Sequence, residues 1–150
     1  MRVRDVIFYE ETFGITQKSL KSLRDTLARS IDHRICVVEI ITNELLCGFL
    51  IFDRDTGIVT FTGDGFRTDG GGEGGAGYRS AQALFDLFGI GLRVIPWHEV
   101  VPVSEAWDPD DRRRNATRKK LLLSVVKHIA KTLSETDFII PSKKTPLYVR

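Results

Sequence analysis

The stretch from Gly63 to Gly77 reads Gly-Asp-Gly-Phe-Arg-Thr-Asp-Gly-Gly-Gly-Glu-Gly-Gly-Ala-Gly and holds eight of the chain's thirteen glycines. Each glycine weakens a helix or strand by roughly 0.5–1 kcal/mol relative to alanine. The run therefore predicts a break in regular structure, dividing a strand-rich half from a helix-rich half. Whatever lies before it must pair and pack without it, and whatever follows must start afresh.

Before the break, Val3–Tyr9 is β-prone and predicts a first strand. Thr16 is expected to cap a helix whose apolar stripe is Leu20, Leu23, Leu27 and Ile31, with Ile15 and Leu20 as a hydrophobic staple. Ile35–Ile41, Leu45–Phe52 and Ile58–Thr62 are nearly continuous apolar and β-branched runs. The linkers between them are short enough for hairpins, so they predict an antiparallel meander covered on one or both faces. With Asn43-Glu44 as a two-residue turn, Cys47 would face residue 40 and Cys36 would face residue 51. The two cysteines are then not cross-strand partners, and buried thiols are expected in place of a disulfide.

After the break, Tyr78–Phe88 reads as a helix with Gly89 as its C-cap, and Leu92–Pro96 as a short strand. Val100–Val103 is a further extended piece. Asp108-Pro109-Asp110-Asp111 has the form of a helix start, and the helix it opens is expected to run to about Glu135, with Leu122, Val125, Val126, Ile129 and Leu133 at core spacing. Phe138–Ile140 and Leu147–Val149 are candidate closing strands. The predicted fold is thus α+β over a single domain, 1–150. It has a mainly antiparallel sheet of five to seven strands and three helices, the C-terminal one long.

Charge is distributed unevenly along the chain. Residues 1–111 carry eleven Lys/Arg against eighteen Asp/Glu, whereas 112–150 carry eleven against two. Six of the nine residues from 112 to 120 are basic: Arg112, Arg113, Arg114, Arg118, Lys119 and Lys120. They are candidate contacts to a nucleic-acid backbone, with no aromatic interleaving or helix-turn-helix pattern to suggest base reading. The same segment could dock on a protein partner or on the acidic body of a second copy. No run approaches the ~18 apolar residues of a membrane span, and the charged N-terminus does not read as a signal peptide, so a soluble, cytoplasmic protein without membrane contact is expected.

The glycine run itself joins a strand end to a helix start, where backbone N–H groups can hold a phosphate or carboxylate. Candidate ligand residues are Arg67, Gly70, Gly72, Gly75, Gly77 and Arg79. Asp64, Asp69 and Glu73 place three carboxylates in the same stretch. The P-loop pattern is absent. The order of strand, helix, three antiparallel strands, glycine turn, helix, strand and helix resembles that of GNAT-type acetyltransferases, and Arg67-x-x-Gly70-x-Gly72 is similar to their pyrophosphate-binding motif. The resemblance implies an acyl-carrying cofactor at this loop.

His33, His98 and His128 have no second His or Cys at metal-ligand spacing, so no metal site is expected. Asp53-x-Asp55-x-Gly57 reads as a tight turn. No catalytic motif identifies an enzyme, and no cofactor is specified. The sequence favours a nucleotide-binding or other small-anion-binding protein, with a nucleic-acid-associated protein and a protein-interaction module as the alternatives.

Overall fold

A computed structural model of the chain describes residues 3–9, 12, 14–43, 46–96, 120 and 124–129. Six strands and two complete helices follow one another as β1 (Asp5–Ile7), α1 (Thr16–Arg29), β2 (Ile35–Asn43), β3 (Leu46–Asp53), β4 (Ile58–Phe61), β5 (Phe66–Arg67), α2 (Gly72–Phe88) and β6 (Leu92–Pro96). Lys120 and residues 124–129 are also helical. The α+β expectation holds.

The sheet is mixed, where a mainly antiparallel one was expected. Its order is β1-β4-β3-β2-β6, with β5 also paired to β3. β3 is antiparallel to β2, β4 and β5, whereas β1–β4 and β2–β6 are parallel pairs. Among the described strands, five therefore point one way and β3 alone runs against them. The reason is that α1 and α2 each carry the chain back to the end from which the previous strand set out, and the next strand then runs parallel.

The hairpin between β2 and β3 pairs Ile41 with Cys47 and Cys36 with Phe52, one residue away from the expected register. Asn43 pairs with Leu46, two off the expected register, and an irregularity between Ile41 and Asn43 takes one residue back. Cys36 and Cys47 still end on opposite faces, and no disulfide joins them.

Both faces of the sheet are covered. Cys36, Val38, Ile40, Leu50, Phe52, Val59 and Phe61 meet Val125, Val126 and Ile129 on one side. On the other, Val37, Phe49, Ile51 and Phe66 pack under Leu20, Leu23 and Leu27 of α1 and Ala81 and Phe85 of α2. The apolar spacing at 125, 126 and 129 thus marks core as expected. The long helix expected over 108–135 is not seen beyond Lys120 and 124–129 among the described residues. The expected extended pieces at 100–103, 138–140 and 147–149 lie outside the described residues.

Local expectations were met unevenly. Leu20, Leu23 and Leu27 are buried, but α1 stops at Arg29 and Ile31 is 67% exposed in the turn beyond it. Thr16 does not cap α1: Ile15 holds the cap position with extended backbone, and the Thr16 hydroxyl donates to the Gly65 carbonyl at 2.6 Å. Gly89 caps α2 in the left-handed region, as expected. α2 itself begins six residues early, at Gly72, inside the glycine run. No helix among the described residues is long and apolar enough to cross a membrane.

Candidate functional site

β1, β4, β5, β2 and β6 all end at one edge of the molecule, and α1 and α2 both begin there. Carboxyl ends of parallel strands and helix N-termini are where α/β sheets gather their ligands, because unpaired N–H groups and the helix dipole converge on the same space. The glycine run occupies that edge.

Its first part is a fixed joint. From Leu50–Phe61 to Cys47–Phe66 the chain takes three steps along β3 but five along the facing strand, so two extra residues arch out at Gly63–Gly65. The arch is wedged against the start of α1. Gly65 N–H donates to Ser19 Oγ at 3.1 Å, Ser19 Oγ donates to the Thr12 carbonyl at 2.8 Å, and Gly14 N–H donates to Asp64 Oδ1 at 2.8 Å. Asp64 is 3% exposed and is occupied in this way with holding the loop.

The second part is more open. Arg67 forms a two-point pair with Asp69, Nε to Oδ1 at 3.0 Å and Nη2 to Oδ2 at 2.6 Å, and Gly71 N–H adds a bond to Oδ1 at 3.0 Å. The Arg67 guanidinium and the Gly71 amide hold the Asp69 carboxyl below its ordinary range, and Asp69 in turn raises Arg67. Arg79 Nη1 donates to the Gly70 carbonyl at 3.0 Å, which fastens the far side of the loop to α2. Gly70 and Gly72 have positive φ, 78° and 60°, and α2 starts at the second of them.

The six candidate ligand residues therefore divide. Arg67, Gly70, Gly72 and Arg79 surround the exposed start of α2. Gly75 and Gly77 are buried and turned inward, Gly75 against the Gly70 backbone and Gly77 against the Thr16 methyl group. Those two glycines let the loop and α1 approach α2, which is a packing role.

Beneath the loop, on the face shared by α1 and α2, lies Glu39 at 2% exposure. It accepts a hydrogen bond from the Tyr78 hydroxyl, and the Tyr78 ring stacks on Phe49 with centroids 6.1 Å apart. Burial pushes the Glu39 carboxyl up, with Tyr78 opposing. Burial and then the Glu39 hydrogen bond push Tyr78 up, while burial followed by the charges of Glu39 and Asp64 does the same to Cys47. Sequence reasoning missed Glu39, although one carboxylate inside the apolar run Ile35–Ile41 was a visible signal.

At the opposite edge, where strands begin and helices end, the Asp53 carboxylate binds His33 Nδ1 at 2.6 Å and accepts Ser30 Oγ at 3.2 Å. Its other oxygen caps the turn through the N–H groups of Asp55 and Thr56. The turn expected from Asp53-x-Asp55-x-Gly57 is thus present, and it also clasps the end of α1. The Asp53 hydrogen bond raises His33. Burial disfavours the Asp53 anion, but His33 and the two amides still hold its carboxyl low. In sequence His33 shows only the lack of a second His or Cys at metal-ligand spacing, yet a β2–β3 hairpin necessarily brings the residues before β2 beside those after β3.

Of the basic candidates, Lys120 is exposed, while Arg112, Arg113, Arg114, Arg118 and Lys119 lie outside the described residues, as does His98. His128 is exposed on its helix. No group of three metal-ligating side chains occurs among the described residues. Comparison with protein-family models, curated proteins and solved structures finds no match to this chain.

Proposed function

We propose that the protein binds a small phosphorylated anion, a nucleotide among the candidates, at the start of α2. The observation that carries the reading is the Asp69 carboxylate seated between the Arg67 guanidinium and the Gly71 N–H, at the edge where the parallel strands end and the helices begin. That seat already has the donor set an anion requires, and Asp69 fills it with one from the chain itself. A phosphate oxygen competes with Asp69 for the same donors, and Arg79 and the first-turn amides of α2 add to its hold. Glu73, in that first turn, opposes a bare anion, so magnesium should strengthen binding of a polyphosphate. The nucleic-acid reading rests on the charge of 112–120 alone.

The test is thermal melting with ATP, coenzyme A and pyrophosphate, each with and without magnesium. Arg67→Ala combined with Arg79→Ala should remove the ligand-dependent rise in melting temperature. Asp69→Asn, which removes the competing charge, should enlarge it. An equal rise in wild type and in the double alanine variant refutes the assignment.

A further inference from the structure

A second feature lies along α1, outside the glycine run. One stripe of α1 opposite its core face carries Lys18, Lys21, Ser22, Asp25 and Arg29, at the three- and four-residue spacing that aligns side chains along a helix. Together with Tyr9 and Thr12, from the chain just past β1, these residues enclose a groove of about 370 Å³. That volume lies in the ordinary range for small-ligand sites, and the eleven steps from Lys18 to Arg29 extend over roughly 16 Å of helix.

The lining carries a net positive charge. Three cations face a single carboxylate, and Asp25 is already taken by Lys21 Nζ at 2.7 Å. Lys18 Nζ and the Ser22 hydroxyl have no partner among the described residues. Arg29 spends one contact on Thr26 Oγ1 at 3.3 Å and lines a further hollow of about 270 Å³ that continues toward Thr56 and Thr60. Tyr9, at 50% exposure, offers an aromatic face beside the cations.

We propose that this α1–β1 groove is an anion site of its own, taking a polyphosphate group between Lys18 and Arg29. The polyphosphate is either free or part of a nucleotide whose base lies on Tyr9. The proposal does not depend on the glycine loop, because the two sites share no residue.

Calorimetric titration of the whole chain with pyrophosphate, tripolyphosphate and ATP tests it. Lys18→Ala with Arg29→Ala changes only exposed side chains, so the variant should keep the wild-type melting temperature while binding the preferred probe about tenfold more weakly. Asp25→Asn should bind more tightly than wild type. A nucleotide occupant predicts that ATP outranks tripolyphosphate and that Tyr9→Ala abolishes the difference, whereas a free polyphosphate predicts equal affinities and no effect of Tyr9→Ala. Binding within twofold of wild type in the Lys18/Arg29 variant overturns the groove. So does failure of all three probes to bind at millimolar concentration. Loss of binding confined to the Arg67/Arg79 variant would support the glycine loop and refute the groove.

Discussion

Gly75→Ala isolates what the glycine run contributes to the fold. Gly75 sits in the first turns of α2 with ordinary helical backbone, so alanine there should add about 1 kcal/mol of helix propensity. The position has no room for it. A β-carbon at residue 75 would stand 2.1 Å from the Gly70 carbonyl carbon, and that neighbour is backbone held by Arg79 on one side and by the Asp69–Gly71 bond on the other. Ordinary carbon contact begins near 3.5 Å, so the loop must retreat by more than an ångström or α2 must tilt. Overpacking of this kind costs about 1–3 kcal/mol and more where backbone has to move. Set against the propensity gain, the expected result is a net loss of about 2 kcal/mol, or a melting temperature lower by roughly 4–8 °C in a chain of this length. Gly74→Ala is the internal control. Its β-carbon would meet the Arg67 side chain, Cγ at 2.7 Å and Cβ at 3.3 Å, so Arg67 must shift and its pair with Asp69 must give, but no backbone is struck and the loss should be smaller than at Gly75. Chemical denaturation of both variants reads the difference directly. If Gly75→Ala is as stable as Gly74→Ala, the close approach of loop and helix is not what selects glycine at 75.

Two further outcomes follow from the ionisable groups. His33 titrates above its ordinary value in the folded chain, so the His33–Asp53 attraction is complete below the unfolded histidine pKa of about 6.5 and is lost as pH rises through the raised folded value. Asp53 is held low, so its part is present above about 3.9 and is lost as pH falls through the depressed value. Melting curves from pH 5 to 9 should therefore show a decline in wild type that His33→Gln flattens, and parallel curves would show that the pair contributes nothing. Burial raises the Cys47 thiol, so the native chain should leave Cys47 unlabelled by a thiol reagent until denaturant is added, and stoichiometric labelling of that residue in the native state would contradict its place in the core.

What could be read from the sequence was the material that is local in the chain. The apolar runs at 35–41, 45–52 and 58–62 became β2, β3 and β4 because a strand buried on both faces has no polar side to show. Leu20, Leu23 and Leu27 announced the buried face of α1 by spacing alone. Where the chain lands after a crossover is not local. Nothing in Leu92–Pro96 says that β6 pairs with β2, nor does Asp5–Ile7 announce its place beside β4, and the mixed sheet follows from those two placements. The start of α2 was missed for a related reason. Propensity argues against helix at Gly72, Gly74, Gly75 and Gly77, but Gly75 and Gly77 lie against Gly70 and Thr16, contacts that only the folded chain brings close.

The candidate site divides in the same manner. Arg67, Gly70, Gly72 and Arg79 were legible as a charged, glycine-rich turn, yet Gly75 and Gly77 looked identical to them in sequence and serve packing. Glu39 and Tyr78 are 39 residues apart and meet only because α2 crosses β2. The turns at the two ends of β3 lie at opposite edges of the sheet, and the two polar clusters part accordingly. The His33–Asp53 clasp collects where strands begin and helix C-termini point. The Arg67–Asp69 seat collects where strands end and helix N-termini point. Of these two clusters only the second faces a helix N-terminus, which attracts negative charge, so an anion should prefer the Arg67–Asp69 seat to the His33–Asp53 clasp.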